Sequence, residues 1–148
     1  MVPTIAVDVD GVLAEYDGWQ GIENIGNPFP GAQKFVAELR QYGRVLIFST
    51  RCNPEVNEEA RMSVDRLREV LQEWLDDNEF MYDDIYTGIG KPLAAVYIDD
   101  RAVLCNPMIN GRGYEDALSD AVGMLRNETP EPESQEEDDV GGLTDEQG

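Results

Sequence analysis

The chain contains no histidine. Ser-His-Asp and Cys-His catalysis, imidazole-held zinc and any imidazole general base are therefore excluded. Cysteine is nearly as scarce: Cys52 and Cys105 lie far apart and form no CxxC pair. That usage suits a thiol-reducing compartment such as the cytoplasm. Basic residues are few, with 11 Lys and Arg against 31 Asp and Glu, and the net charge is −20. A surface of that sign repels a phosphate backbone unless cations intervene, so stable nucleic-acid binding is not expected. No apolar run approaches the roughly 18 residues of a membrane span. The N-terminal run has no basic residue ahead of it and is broken at Asp8, so neither a membrane segment nor a signal peptide is expected. Any chemistry must use carboxylates, Lys, Arg, hydroxyls or a metal ion.

What remains is enough for one core, since 148 residues carry 41% hydrophobic side chains. The charge is unevenly spread. Residues 127–148 hold nine acidic and no basic residues, which leaves eleven of the twenty excess negative charges on residues 1–126. That last stretch, "NETPEPESQEEDDVGGLTDEQG", has almost nothing to bury and reads as a disordered acidic tail behind a single domain over 1–126.

Within the domain, short apolar runs alternate with helical patterns. "TIAVD" (4–8), "RVLIFS" (44–49) and "AAVYID" (94–99) read as strands, with "DIYTG" (84–88) a weaker candidate and "AVLC" (102–105) a fifth. The internal runs are apolar on both faces, as in a parallel, doubly covered sheet. Between them, Ala32, Phe35, Val36 and Leu39 recur at helix spacing, with Gly43 as a stop. Val64, Leu67, Leu71, Trp74 and Leu75 form a second stripe, with Asn53-Pro54 as its candidate start. Tyr114, Ala117, Leu118, Ala121, Val122 and Leu125 form a third. Strand alternating with helix predicts an α/β fold with a mainly parallel sheet.

The polar residues fall at the strand ends. The first run closes on Asp8, with Asp10 and Gly11 just behind; the second ends at Ser49-Thr50; the third ends at Asp99-Asp100; and "GK" (90–91) precedes the third. In open parallel sheets ligands bind beyond the carboxyl ends of the strands, where these residues would converge. Four carboxylates on one rim need compensation, because two unit charges about 4 Å apart repel by roughly 4 kcal/mol at an effective dielectric near 20. Lys91 offsets one charge, and an all-oxygen donor set favours Mg²⁺, with Mn²⁺ as a substitute. Acidic groups, a hydroxyl, a lysine and Mg²⁺ suit phosphoryl transfer. Asp8 then serves as nucleophile, forming an aspartyl phosphate, and Asp10 as general acid and base, while Gly11 lets the chain turn beneath the phosphate.

These residues resemble the haloacid dehalogenase (HAD) superfamily, in its phosphatase branch. "DVDGV" (8–12), "VLIFSTR" (45–51), "GKP" (90–92) and "VYIDD" (96–100) resemble its four signature motifs, in the family's order. True dehalogenases lack the second aspartate of the first motif, so Asp10 points to phosphate chemistry. The resemblance implies a three-layer Rossmann-like fold with strand order 5-4-1-2-3. It implies that Asp8 ligates Mg²⁺ through its non-attacking oxygen and Asp10 through its backbone carbonyl. It implies that Asp99 is a ligand from the last motif, with Asp100 either a ligand or a water-mediated partner. Ser49, or alternatively Thr50, and Lys91 hold the phosphoryl group, helped by backbone N–H groups near Val9 to Gly11. Arg51 either reaches substrate or pairs with a nearby acid. Neither of the family's cap insertion points leaves room for a cap domain. The Gly/Asn/Pro-rich residues 14–30 would then screen the site as a flap loop, unless it stays open or borrows a neighbouring subunit. Tyr16 and Trp19 in that loop either stack on substrate or form a small satellite core.

The expected activity is thus Mg²⁺-dependent hydrolysis of a phosphomonoester. The substrate is a phosphorylated small molecule or, alternatively, a phosphorylated polynucleotide end. Two rivals remain: a receiver-like phospho-acceptor signalling module, whose motifs run in a different order, and a catalytically idle protein that binds Mg²⁺ and phosphate.

Overall fold

The computed structural model describes residues 1–53, 55 and 63–128. The chain forms two compact units, Met1–Asp100 and Arg101–Gly148. The first contains strands β1 (Thr4–Val7), β2 (Arg44–Ile47), β3 (Asp84–Ile85) and β4 (Val96–Ile98), with helices α1 (Ala32–Leu39) and α2 (Val64–Asp77). The second contains helix α3 (Tyr114–Glu128). The protein is therefore α/β, and its four strands form one sheet, all parallel, in the order β3-β2-β1-β4.

The expected fifth strand is not formed. Residues 102–105 carry no strand, and the chain beyond them closes on itself through Asn106 N–H to Arg112 O (2.7 Å) and Ile109 N–H to Asn106 O (2.9 Å). Four apolar residues bounded by Asn106-Pro107 offer little to offset the ordering cost of a strand. The order 5-4-1-2-3 is accordingly not complete.

Strand alternation sorts the core. Ile5 and Val7 of β1, Val45 and Ile47 of β2 and Ile85 of β3 cluster with Ala32 and Val36 of α1 and Leu71 and Leu75 of α2, so α1 and α2 both pack on this one face. In α2 the expected stripe is the buried one at Leu67, Leu71 and Leu75, and Val70 joins it. Its start differs from expectation: Ser63 is the cap, its side chain accepting from Arg66 N–H, while Pro54 lies outside the described residues. Helix α1 ends at Leu39, four residues before Gly43. That glycine is needed for a different reason, since a Cβ there would lie 2.5 Å from Pro3 O at the entrance to β1. Helix α3 takes in Asn127 and Glu128, both expected in the tail; the rest of that stretch, residues 129–148, lies outside the described residues. Among the described residues no helix is long and apolar enough to cross a membrane.

Candidate metal and phosphate site

Strand register brings the first and last acidic motifs together. Val7 pairs with Ile98, and Asp8 N–H donates to Ile98 O at 2.9 Å. The next residues on the two strands, Asp8 and Asp99, thus leave the sheet side by side. By alternation they share the face of Ala6 and Tyr97, opposite the helices. Asp100 completes the group: one carboxylate oxygen from each of Asp8, Asp99 and Asp100 lies within 4.8 Å of the others.

A tight turn makes room for the third carboxylate. The N–H groups of Leu13 and Ala14 both donate to Val9 O, at 2.8 and 3.0 Å, and Gly11 N–H donates to Ala14 O at 2.9 Å. Gly11 sits in the left-handed region at φ 80°, and Asp100 occupies the space in front of its Cα. The N–H groups of Val9 and Gly11, expected to hold phosphate, are engaged within the protein instead. Val9 N–H donates to Asp8 Oδ1 at 2.8 Å, and Gly11 N–H closes the turn.

The charge on this cluster is costly without a cation. Burial pushes the Asp8 carboxyl up to about 7, with Asp99, Asp100 and Asp10 adding repulsion against the lowering effect of the Val9 N–H. Three converging carboxylates, one destabilised as an anion, form a hard, all-oxygen donor set that fits Mg²⁺ or Mn²⁺. Among the described residues, Asp8, Asp99 and Asp100 are the side chains grouped so that they could hold such an ion.

Asp10 stands apart from this cluster. Its carboxylate is bound in bidentate fashion by Arg51, with Nε to Oδ2 at 2.7 Å and Nη2 to Oδ1 at 2.9 Å. Arg51 is only 3% exposed, and its other N–H groups go to the carbonyls of Gly21, Ile22 and Asn24, while Trp19 lies over the guanidinium at 4.8 Å. Of the two roles open to Arg51, the structure shows pairing with an acid. It does not place the guanidinium as a substrate-binding group, because those N–H donors point into carbonyls and Asp10.

Ser49 and Thr50 separate by burial. Ser49 is buried and its Oγ accepts from Arg51 N–H at 3.2 Å, capping a short 3-10 turn over Thr50–Cys52, whereas Thr50 is exposed. Lys91 is placed by an aromatic side chain: its ammonium lies 4.2 Å from the centre of the Tyr97 ring. The Tyr97 hydroxyl donates to Pro92 O and accepts from Ala94 N–H, pinning the "GKP" segment to β4. Tyr97 lies on the same sheet face as Asp8, so Lys91 is drawn toward that side. The role of Tyr97 was not anticipated; an aromatic residue two positions before Asp99 was the available signal.

Residues 14–30 are tied to the body at several points. Beyond the Arg51 contacts, Trp74 Nε1 donates to Gly26 O at 3.1 Å, and Ile22 is buried with Leu67 and Val70 of α2. Ile22, not Tyr16 or Trp19, is the buried residue of the satellite core; Trp19 remains 49% exposed with its ring on Arg51. Of the two thiols, Cys52 is buried, which pushes it up to about 11, and Cys105 is exposed.

The fold and site define an α/β protein with a carboxylate cluster at the C-terminal ends of its two neighbouring strands β1 and β4. No protein-family model and no curated protein matches the sequence. Among solved structures, a conserved protein from Bacteroides thetaiotaomicron is similar, with 22% identity over 87% of this chain and 94% of that one at a TM-score of 0.44. A crystal structure of a Vibrio cholerae protein shows 26% identity over 86% of this chain and 99% of that one at a TM-score of 0.46. Likenesses of this degree carry no statement about chemistry.

Proposed function

We propose that the chain is a Mg²⁺-dependent phosphomonoester hydrolase of HAD type. The observation that carries this reading is the convergence of Asp8, Asp99 and Asp100 oxygens within 4.8 Å, on strands that register places side by side. In the first half-reaction an Asp8 oxygen attacks phosphorus. The ester P–O bond breaks as Asp10 gives its proton to the leaving oxygen. In the second, the Asp10 carboxylate takes a proton from water. The water oxygen attacks phosphorus, the Asp8–phosphorus link breaks, and orthophosphate leaves. Bound Mg²⁺ supplies positive charge to the carboxylates and to the phosphoryl oxygens.

Around this core, Lys91 compensates phosphate charge from its seat on Tyr97, and the Ser49 hydroxyl keeps its own O–H to donate. The Asp10 backbone carbonyl would be a further metal ligand. With no cap among the described residues of the first unit and residues 14–30 pinned down, the site acts on a phosphorylated small molecule. Two unpaired cysteines fit a cytoplasmic setting.

The test is phosphate release from an aryl phosphate with and without Mg²⁺. The wild type turns over only with Mg²⁺, and Asp8→Asn abolishes release while its circular dichroism is unchanged. Full release by Asp8→Asn would remove Asp8 as nucleophile. A wild type that traps a stable acyl phosphate without turnover would instead support the phospho-acceptor reading.

A further inference from the structure

Arg51 joins two parts of the molecule that the reaction above treats separately. A guanidinium this deeply buried is tolerated only when its donors are met. Here they are met by one carboxylate and by three carbonyls of a single loop: Asp10 at 2.7 and 2.9 Å, then Gly21 at 3.3 Å, Ile22 at 3.1 Å and Asn24 at 3.2 Å. The root of the side chain is fixed as well, because Ser49 Oγ accepts from Arg51 N–H in the turn leaving β2. Trp19 closes the outer face of the guanidinium.

We propose that Arg51 is a positioning residue that acts through Asp10. Its planar fork sets the orientation of the Asp10 carboxyl for proton transfer and makes residues 19–24 part of that apparatus. The inference rests on the phosphatase reading. A bidentate arginine uses one lone-pair position on each carboxylate oxygen and leaves another on each to carry the proton. It also removes the rotational freedom that would otherwise misdirect the transfer, an effect lysine cannot reproduce with a single point charge. The proton that Asp10 gives goes to the ester oxygen as its bond to phosphorus breaks, so the need for alignment is greatest when that oxygen leaves as a poor anion.

The leaving group therefore separates positioning from mere support of the fold. With Mg²⁺ present, kcat is compared for an alkyl phosphate, whose oxygen must be protonated, and for 4-nitrophenyl phosphate, whose oxygen departs as a stable anion. Arg51→Lys lowers kcat on the alkyl ester by about 100-fold and on the aryl ester by less than about 10-fold, in the range of a general acid's contribution. In an Asp10→Asn background Arg51→Lys causes no further selective loss, because two residues acting as one unit are not additive. Trp19→Ala, which leaves the buried salt bridge in place, shifts the same ratio in the same direction and serves if Arg51→Lys does not fold. Equal losses on both esters, or an unchanged ratio in Trp19→Ala, would overturn the proposal while an active, Mg²⁺-dependent wild type leaves the phosphatase reading intact. A wild type that releases no phosphate from either ester overturns both.

Discussion

The Asp100 carboxylate occupies the space that a side chain on residue 11 would need: a Cβ built on Gly11 meets Oδ2 and Cγ of Asp100 before anything else. The third carboxylate of the cluster therefore depends on a glycine in the first motif, about ninety residues away in the chain. Gly11→Ala forces Asp100 outward and places a side chain at φ 80°, a region costing roughly 1–2 kcal/mol for an L-residue. The expected outcome is a lower Tm together with loss of most of the Mg²⁺-induced rise in Tm. A variant that keeps the full Mg²⁺ response would show that Asp100 does not contribute to the ion site.

Asp8 makes metal-free stability pH-dependent, with a definite sign. Its folded value of about 7 lies above the ordinary 3.8, chiefly through burial. Between these values the folded protein holds a proton that the unfolded chain has released, so this group lowers stability as pH rises from about 4 to about 7. Above about 7 the loss is complete. Urea midpoints in EDTA should fall across that window, the slope should vanish in Asp8→Asn, and added Mg²⁺ should remove it. Mg²⁺ affinity should rise with pH through about 7, because the ion displaces the proton.

Lys91 and Tyr97 are expected to behave as a pair. Lys91→Ala should lower kcat/KM by about 100-fold, the scale for losing one electrostatic stabiliser of a phosphoryl group. Tyr97→Leu removes both the ring beneath the ammonium and the hydroxyl that holds Pro92 and Ala94. It should give a smaller loss that is reduced further in the Lys91→Ala background. Additive losses measured in steady-state kinetics would show that Tyr97 does not act through Lys91.

Residues 14–30 should respond to a change made in α2. Trp74→Phe removes the indole N–H that donates to Gly26 O while keeping a ring near Phe80. One neutral hydrogen bond is worth about 1 kcal/mol. The expected result is a modest drop in Tm with faster amide exchange at residues 24–28. Unchanged exchange there would mean that the Trp74 contact does not restrain the loop.

The two thiols should label in separate steps. Cys105 is exposed, whereas Cys52 is buried and its thiolate is disfavoured by desolvation. Iodoacetamide at pH 8 should modify one cysteine rapidly and the second only under denaturing conditions. Rapid modification of both would contradict the packing of the Thr50–Cys52 turn.

Much of this architecture was legible in the chain itself. Apolar runs at 4–8, 44–49 and 94–99 become β1, β2 and β4 because a parallel strand carries no polar alternation, although in β4 Val96 is exposed and Tyr97 and Ile98 are only half-buried. The helices at Ala32, Val64 and Tyr114 follow from spacing for the same kind of reason. The run at 102–105 misled, since four apolar residues are compatible with a strand or with an irregular segment. Hydropathy cannot tell these apart. In the site, the strand-end positions of Asp8 and Asp99 were readable as soon as the strands were.

Partner choice was not legible. Asp8 and Asp10 look equivalent in "DVDGV", yet one joins Asp99 and Asp100 and the other is taken by Arg51. That division depends on strand register, on the turn at Gly11 and on three loop carbonyls that gather around a buried guanidinium. By itself the sequence determined which residues end strands and which charges need compensation, because period and charge are properties of the chain. Only the tertiary structure decided which carboxylate joins Asp99 and Asp100 and which meets an arginine, because directed contacts between distant segments exist only after the sheet has set their register.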